Sequence, residues 1–436
     1  MSLIRYLNGL RKFTELDQDK RSLYLEHPDR DFTRNSPLSF ARTVALITSL
    51  LRRTLAIELF ECFDFNGSLP VSKSAFSQRR KLIKPEFFRD LFTLSATAFY
   101  RCFRQHRRWR GKLLFAVDGT GQKLPNEPWI GQLFGFHHNQ HSGRPSTRLL
   151  IFFDILNQVI FRVVFHSQKT GEITHAYPNV ETLPKNAIYI YDRGFQGYGL
   201  PFLHRRHGSD CVIRMPIDVI PEIQDFVQSD DNERIVSVVL AGRAFYSLRR
   251  LGLNPTQNAS IEVRLIKVIL STGEVEVLMT TLMNRSQFHY KRFHWLYGKR
   301  WGVETAIYIL KSFLQLALSS AYTQPGVEQD IWATFLFYNQ QSAIVFDLDE
   351  QVKAKTEHRQ YTYQINRNVT GGLIKRWIYT LFLDGPRKWR ARTKVLLKHC
   401  LNHLEPYRPR TGRARKKIIM RGQGRHTPEK NYRSAM

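Results

Sequence analysis

Cysteine is scarce in this chain, and its four copies (Cys62, Cys102, Cys211 and Cys400) stand too far apart to form a C-x-x-C pair. Neither a zinc ribbon nor a disulfide framework is expected, and a reducing, intracellular setting fits best. Long apolar runs are missing too: no segment approaches the roughly 18 uninterrupted apolar residues of a membrane span. The opening MSLIRYLNGLRK has no apolar signal core followed by small cleavage-site residues, so export is not expected. Acidic residues are the third shortage. Asp plus Glu number 37 against 66 Lys plus Arg, which leaves a net charge of +29 and a pI near 10.2. Such an excess favours a polyanionic partner, nucleic acid first, because each cation that meets a phosphate releases a condensed counterion.

What is present is a globular chain. Apolar residues make up 42% and aromatic residues 13% of 436 residues, enough for a sizeable core and for two to four structural parts. From Ser36 to about Tyr100 the pattern is helical, with Ser36 and Pro37 able to start a helix that continues through Val44, Ile47, Leu51 and Leu55. After a turn at FNGSLP, Ser72 or Ser74 can cap a short helix carrying Arg79 and Arg80, and Pro85 can open the next. Two short helices around a turn, one of them basic, can place a recognition helix against DNA; a plain helical bundle has the same pattern. The stretch Arg101 to Lys112 contains no acid.

Strands dominate next. LLFAVDGT reads as a buried strand ending at Asp118 and Gly119, RLLIFFDI and VIFRVVFH as a hairpin turning at Asn157-Gln158, and AIYIYDRGF as a strand ending at Asp192. IVSVVL, AFYSLRR, IEVRLIKVIL and EVEVLMTTL make residues 217–283 a β-rich block. Helices return at 285–320, in VEQDIWATFLFYNQQSAIVF and in TGGLIKRWIYTLFL. The tail beyond Glu405 carries eight Lys or Arg before its next acid, Glu429, and suits phosphate binding.

Two carboxylates, Asp118 and Asp192, thus stand at the ends of apolar strands with glycine close behind. A rigid carboxylate beside glycine suits a hard divalent cation that also takes phosphate oxygens, although a lone Asp in this position is more often a turn residue. A third carboxylate lies in YGKRWGVETAIYILK. At about 100° of rotation per residue, Tyr297, Arg300, Glu304 and Lys311 fall within an arc of roughly 60°, beside an apolar stripe of Val303, Ile307, Leu310 and Leu314. Such a stripe is either a solvated face with an Arg300–Glu304 ion pair or the wall of a site completed by the aspartates. His137, His138 and His141 lack a fourth ligand and fit a loop better than zinc. Asp154 reads as a strand or turn residue, and Gly371-Gly372 has no phosphate-loop context.

Y-x2-R-x3-E-x6-K resembles the signature helix of the IS4-type bacterial DDE transposases, and the D-G-T and Y-D-R-G-F segments are similar to that family's two aspartate motifs. The resemblance implies an α/β fold with a ribonuclease-H-like catalytic core interrupted by a β-rich insertion, and helical N- and C-terminal regions. The divisions expected are a helical DNA-binding region over 1–108, a first catalytic-core segment with both aspartates over 109–216, and the insertion over 217–284. A second core segment with the glutamate helix follows over 285–350, and a helical, basic-tailed region over 351–436. The resemblance also implies binding of insertion-sequence ends, then metal-dependent DNA cleavage and strand transfer. Asp118, Asp192 and Glu304 would hold two Mg²⁺ or Mn²⁺ ions, with Tyr297, Arg300, Lys311, Arg193, Arg79 and Arg80 on DNA. The partners implied are double-stranded DNA (terminal inverted repeats and target) and a second copy of the chain, in a bacterial, nucleoid-associated cytoplasmic setting. The tryptophan that some relatives carry in the insertion is missing here, which turns attention to Phe245 or Tyr246. A transposase-derived chain that binds without cutting, and a nuclease that never joins, are the alternatives.

Overall fold

The D-G-T strand is apolar on both faces, which commits it to the middle of a covered sheet. The computed structural model describes residues 2–63, 71–138, 143–166, 170–218, 221–253, 255–256 and 259–407. In it, strand β1 (Leu113–Lys123) alternates between two separate cores: Leu113, Phe115 and Val117 enter one, Leu114 and Ala116 the other. β2 (Phe136–His138), β3 (Gly143–Asp154), β4 (Val159–His166), β5 (Ala187–Tyr191), β6 (Asp210–Met215), β7 (Glu233–Val239), β8 (Ser260–Ile269) and β9 (Val275–Thr280) complete the sheet. The order is β2-β3-β1-β5-β6-β9-β8-β7, with β4 also paired to β3. The β1–β5 and β5–β6 pairs are parallel and the others antiparallel.

On one face lie the helices Ser2–Thr14, Phe40–Thr48, Pro85–Cys102, Gln324–Thr356, Arg367–Leu383 and Pro386–Asn402, together with the segment Trp301–Tyr308. The other face is covered by Glu172–Ala176, Gly199–His207, Pro221–Gln228 and Gly242–Arg250. The result is a mixed α/β architecture with helices on both sides of one large sheet. No described helix is long and apolar enough to cross a membrane.

The structure departs from the sequence reading in several places. β1 does not stop at Asp118 but runs on to Lys123, because β3 goes on pairing with it to Lys123↔Ser146 after β5 has stopped at Val117↔Tyr191. Within the block over 217–284, AFYSLRR is the helix Gly242–Arg250 rather than a strand. Strands β7 to β9 form no sheet of their own; β9 pairs with β6 and extends the main sheet. The first helix after Ser36 begins at Phe40, capped by Ser39 Oγ accepting from the Arg42 N–H, and ends at Thr48, short of Leu55. Leu50 follows in a left-handed conformation (φ 61°), which a helix interior does not tolerate. Ser72 and Pro85 do start the helices Lys73–Arg80 and Pro85–Cys102. FNGSLP and almost all of the basic tail lie outside the described residues.

Arg80 is the plainest correction. Instead of facing DNA it is buried, and its guanidinium donates to Gln329 Oε1, Ser320 Oγ, the Gly326 carbonyl and Asp330 Oδ1 at 2.7–3.1 Å. It bolts the helix Lys73–Arg80 to the start of Gln324–Thr356. Arg79 is also turned inward: its Nε donates to the Leu38 carbonyl at 3.0 Å and its guanidinium lies 4.2 Å from the Phe32 ring centroid. Removing one partner of a buried ion pair strands the other charge, so R80A is expected to cost about 3 kcal/mol in urea denaturation, and R80K, which lacks the fork, is expected to recover little of it.

Candidate active site

The parallel pairing of β1 and β5 builds the centre. Its last partners are Val117 and Tyr191, so the next residue on each strand, Asp118 and Asp192, sits side by side at the point where the pairing ends. By the alternation of the pleat both follow Ala116 and Ile190 onto the face that also receives Trp301–Tyr308. Asp118 Oδ1 accepts from the Gly119 N–H at 2.9 Å, and Asp192 Oδ1 caps the short turn Arg193–Phe195 through the Gly194 N–H at 2.9 Å. Both carboxylates are half-buried.

The third carboxylate arrives on a broken helix. The expected continuous helix from Tyr297 to Lys311 is three pieces: Phe293–Gly298, Trp301–Tyr308 and a π-helical turn Ile309–Phe313. Val303, Ala306 and Leu310 anchor it in the core. Arg300, at the break, is buried and stands between the acids: it donates to Glu304 Oε1 at 2.8 Å and its Nη1 is 3.9 Å from Asp118 Oδ2. Burial alone would lower its pKa, but Tyr297, Glu304 and Asp118 more than reverse that and hold its charge. Lys311, carried round by the wide turn, donates to the Gly121 carbonyl of β1 at 2.9 Å. A π-turn of this kind recurs at functional sites. Tyr297 is half-buried with its ring centroid 5.9 Å from the Arg300 guanidinium. Its phenol is pushed up to about 12, chiefly by burial.

Burial pushes the Asp118 carboxyl up to about 6; Arg300 pulls against it, while Asp192 and Glu172 add like-charge repulsion. Glu172 is the residue that the sequence reading missed. It opens the helix Glu172–Ala176 on the opposite face, lies over Gly119 and pairs with Arg148 at 3.7 Å. A lone Glu after Gly171 carries no signal in one dimension; only the fold brings it to Gly119. Of the remaining candidates, Arg193 is exposed and 3.8 Å from Asp218. Asp154 is a buried structural acid accepting from Tyr100 Oη and Asn157 Nδ2 at 2.8 Å. Tyr246 is exposed and Phe245 partly buried on Gly242–Arg250. Trp295 and Trp301 are the exposed tryptophans of the segment that carries Arg300 and Glu304. His141 lies outside the described residues.

The corner where β1 and β5 part thus gathers carboxylates and a buried guanidinium. A family model described as Transposase DDE domain matches residues 109–340, more than half of the chain and the span that holds every one of these carboxylates. The chain belongs to the DDE transposase family. Within it the likeness is to the IS4 type: the transposase InsG for insertion sequence element IS4 of Escherichia coli (strain K12) is 23% identical over 322 residues, covering 72% of this chain and 70% of that one. A solved piggyBac transposase synaptic complex with hairpin DNA aligns with a TM-score of 0.46 at 11% identity, covering 93% of this chain and 85% of that one. The protein is thus a DNA transposase, of a family whose chemistry is metal-dependent DNA cleavage and strand transfer.

The raised Asp118 pKa has a stability consequence. An ordinary Asp titrates near ~3.9, so between that value and about 6 the folded protein keeps a proton that the unfolded chain has released. Folding therefore loses stabilisation as pH rises through this window. In EDTA at pH 7.5, D118N is expected to be more stable than wild type by about 1–2 kcal/mol, and the gap to narrow as the pH falls toward 4; paired urea titrations read both.

Proposed function

We propose that Asp118, Asp192 and Glu304 are the metal-binding carboxylates of this transposase, taking two Mg²⁺ or Mn²⁺ ions, and that they act on the ends of an insertion sequence. The observation that carries the reading is the juxtaposition of Asp118 with Asp192 and the tether of Glu304 to the same corner through Arg300. The donor set fits such ions, being all carboxylate oxygen, with three acids gathered around one guanidinium. Among the described residues no three ligands stand ready-made around an ion, since Glu304 is turned to Arg300. When bound, the ions would activate the attacking oxygen and stabilise the leaving one.

The chain's own groups supply position. Arg300 offers a planar fork to a phosphate and Lys311 a point charge; the π-turn keeps Lys311 against β1, where the DNA backbone would pass beside Gly121. Tyr297 keeps its proton at neutral pH and so can donate a hydrogen bond to a phosphate oxygen. Arg193, exposed beside Asp192, is a further phosphate ligand in this reading. The order β4-β3-β1-β5-β6, three antiparallel strands followed by two parallel ones, supports a ribonuclease-H-like core, with residues 217–284 as an insertion grafted onto its edge. Two element ends held at once require a homodimer on double-stranded DNA, in a nucleoid-associated setting.

D118N and E304Q are expected to lose Mg²⁺-dependent nicking of the element's own ends by at least about a thousandfold while binding those ends nearly as well as wild type. Band shifts and single-turnover cleavage separate the two. Wild type that binds its ends but never nicks them would establish instead a binding protein; nicking by wild type without joining of precut ends would establish a nuclease.

A further inference from the structure

Two stretches of the chain run without an acid, residues 91–117 and 277–303, and the fold joins them through a pair of tryptophans. The Trp109 ring centroid lies 5.7 Å from that of Trp295 and 5.6 Å from that of Phe288, which is buried. Each tryptophan carries a cation: the Arg110 guanidinium stands 5.6 Å from the Trp109 ring centroid, and Lys299 Nζ 5.1 Å from that of Trp295. Lys291, Trp295 and Lys299 follow one another at intervals of four, which puts them on one flank of the segment. Arg108, Arg110, Lys291, Arg292 and Lys299 are all exposed. Among the described residues none of these five forms an ion pair, whereas Arg107 and Lys112 beside them pair with Asp349 and Asp210.

Arg110 stands where the backbone does not favour it. Trp109 and Lys112 exchange both backbone hydrogen bonds at 2.9 Å, closing a two-residue turn on Arg110 and Gly111, whose φ angles are 48° and 80°. Left-handed backbone at both central positions suits Asn-Gly, and an arginine held there is strained. Strain kept at an exposed cation that sits on a ring beside other unpaired cations is a mark of a binding surface rather than of a plain turn. The rings are already engaged by each other, by Phe288 and by the cations, so they brace the cations rather than offer a face to a base. A cation ordered in advance loses less freedom on meeting a phosphate. The surface is also apart from the carboxylate corner. Roughly 17 Å of strand separates Leu113 from Asp118, and Lys299 turns to Trp295 while its neighbour Arg300 turns to the acids.

We propose that Arg108, Arg110, Lys291, Arg292 and Lys299, braced by Trp109 and Trp295, form a second DNA-binding surface, separate from the carboxylates, that grips duplex DNA through its phosphates. This rests on DNA as the partner of this transposase and not on the assignment of its metal ligands.

The test is binding of the full-length protein to fluorescent duplexes, read by anisotropy over a salt series in EDTA, so that cleavage plays no part. One duplex carries the element's end and one an unrelated sequence; wild type, R110N and the combined R108Q/R110N/K291Q/K299Q are compared, with thermal melts to establish folding. The combined variant is expected to bind both duplexes at least about tenfold more weakly, and the slope of log K against log salt to fall by about 0.9 for each phosphate contact removed. R110N is expected to melt at a higher temperature than wild type and yet bind more weakly, because asparagine fits the turn and only the cation is lost. In wild type, Lys291 and Lys299 are expected to be protected from acetylation by bound duplex, as read by mass spectrometry. A folded combined variant with unchanged affinity and slope overturns the proposal, as do Lys291 and Lys299 that stay as reactive in the saturated complex as in the free protein. Weakened binding of a single strand with duplex binding unchanged overturns it too, and assigns the rings to unpaired bases. Wild type that binds neither duplex would show that the partner itself is wrong, which distinguishes that failure from the others.

Discussion

The parallel pairing of β1 with β5 is the constraint on which the rest depends. Parallel neighbours put residues of equal register side by side at a strand separation of roughly 4.8 Å, so pairing Val117 with Tyr191 places Asp118 next to Asp192 without any contact between the two being needed. A slip of one residue would turn one aspartate to the other face and separate them. What resists the slip is the burial of both faces: Leu114, Ala116, Ile188 and Ile190 fit one core, while Phe115, Tyr189 and Tyr191 fit the other. The stacked rings of Phe115 and Tyr189, 5.1 Å apart, span the two strands. Site geometry is therefore inherited from packing.

Arg300 is the second organising element. Like charges gathered at one corner repel, and a buried guanidinium within reach of both Asp118 and Glu304 offsets part of that repulsion while the segment folds. A phosphate offered to this guanidinium would have to compete with the two acids that now hold it. Gly302, which approaches Ile155 and Phe153 closely, lets the segment lie near enough to the sheet for this contact.

The residues that meet where β1 and β5 part are legible in the sequence, because strand-end acids and a polar stripe on one helix are local patterns. Asp118, Asp192, Arg300 and Glu304 could be named from spacing, and the fold brings them together. What could not be read were features set by distant partners. Arg80 sits on a helix with Arg79 next to it and looks like a phosphate contact; only Gln329 and Asp330, some 250 residues away, make it internal. AFYSLRR alternates well enough to pass for a strand, yet Leu248 packs as part of a helix over the second core. The break before Trp301 and the π-turn at Ile309–Phe313 have no marker in the residue pattern, which reads as one continuous helix. Glu172 is invisible for the same reason as Arg80: its neighbour is Gly119 through space, not along the chain.

Charge is sorted by the fold in a way that its total does not reveal. Several cations of the large excess, among them Arg80, Arg264 and Lys375, are buried on internal acceptors and carboxylates. Others are kept outward by periodicity. In Pro386–Asn402, Trp389, Thr393, Leu396 and Cys400 are buried, which leaves Arg387, Lys388, Arg390, Arg392, Lys394 and Lys398 in solvent. Acids are concentrated inward at the corner of β1 and β5. A polyanion is therefore attracted by the surface at long range and repelled by the centre at short range, unless cations are held there. Long-range attraction falls with salt, whereas the short-range repulsion comes from the half-buried acids themselves and is screened less. Attraction at a distance and repulsion at the corner therefore arise from different residues, the outward cations of Pro386–Asn402 among the first and the acids where β1 and β5 part among the second.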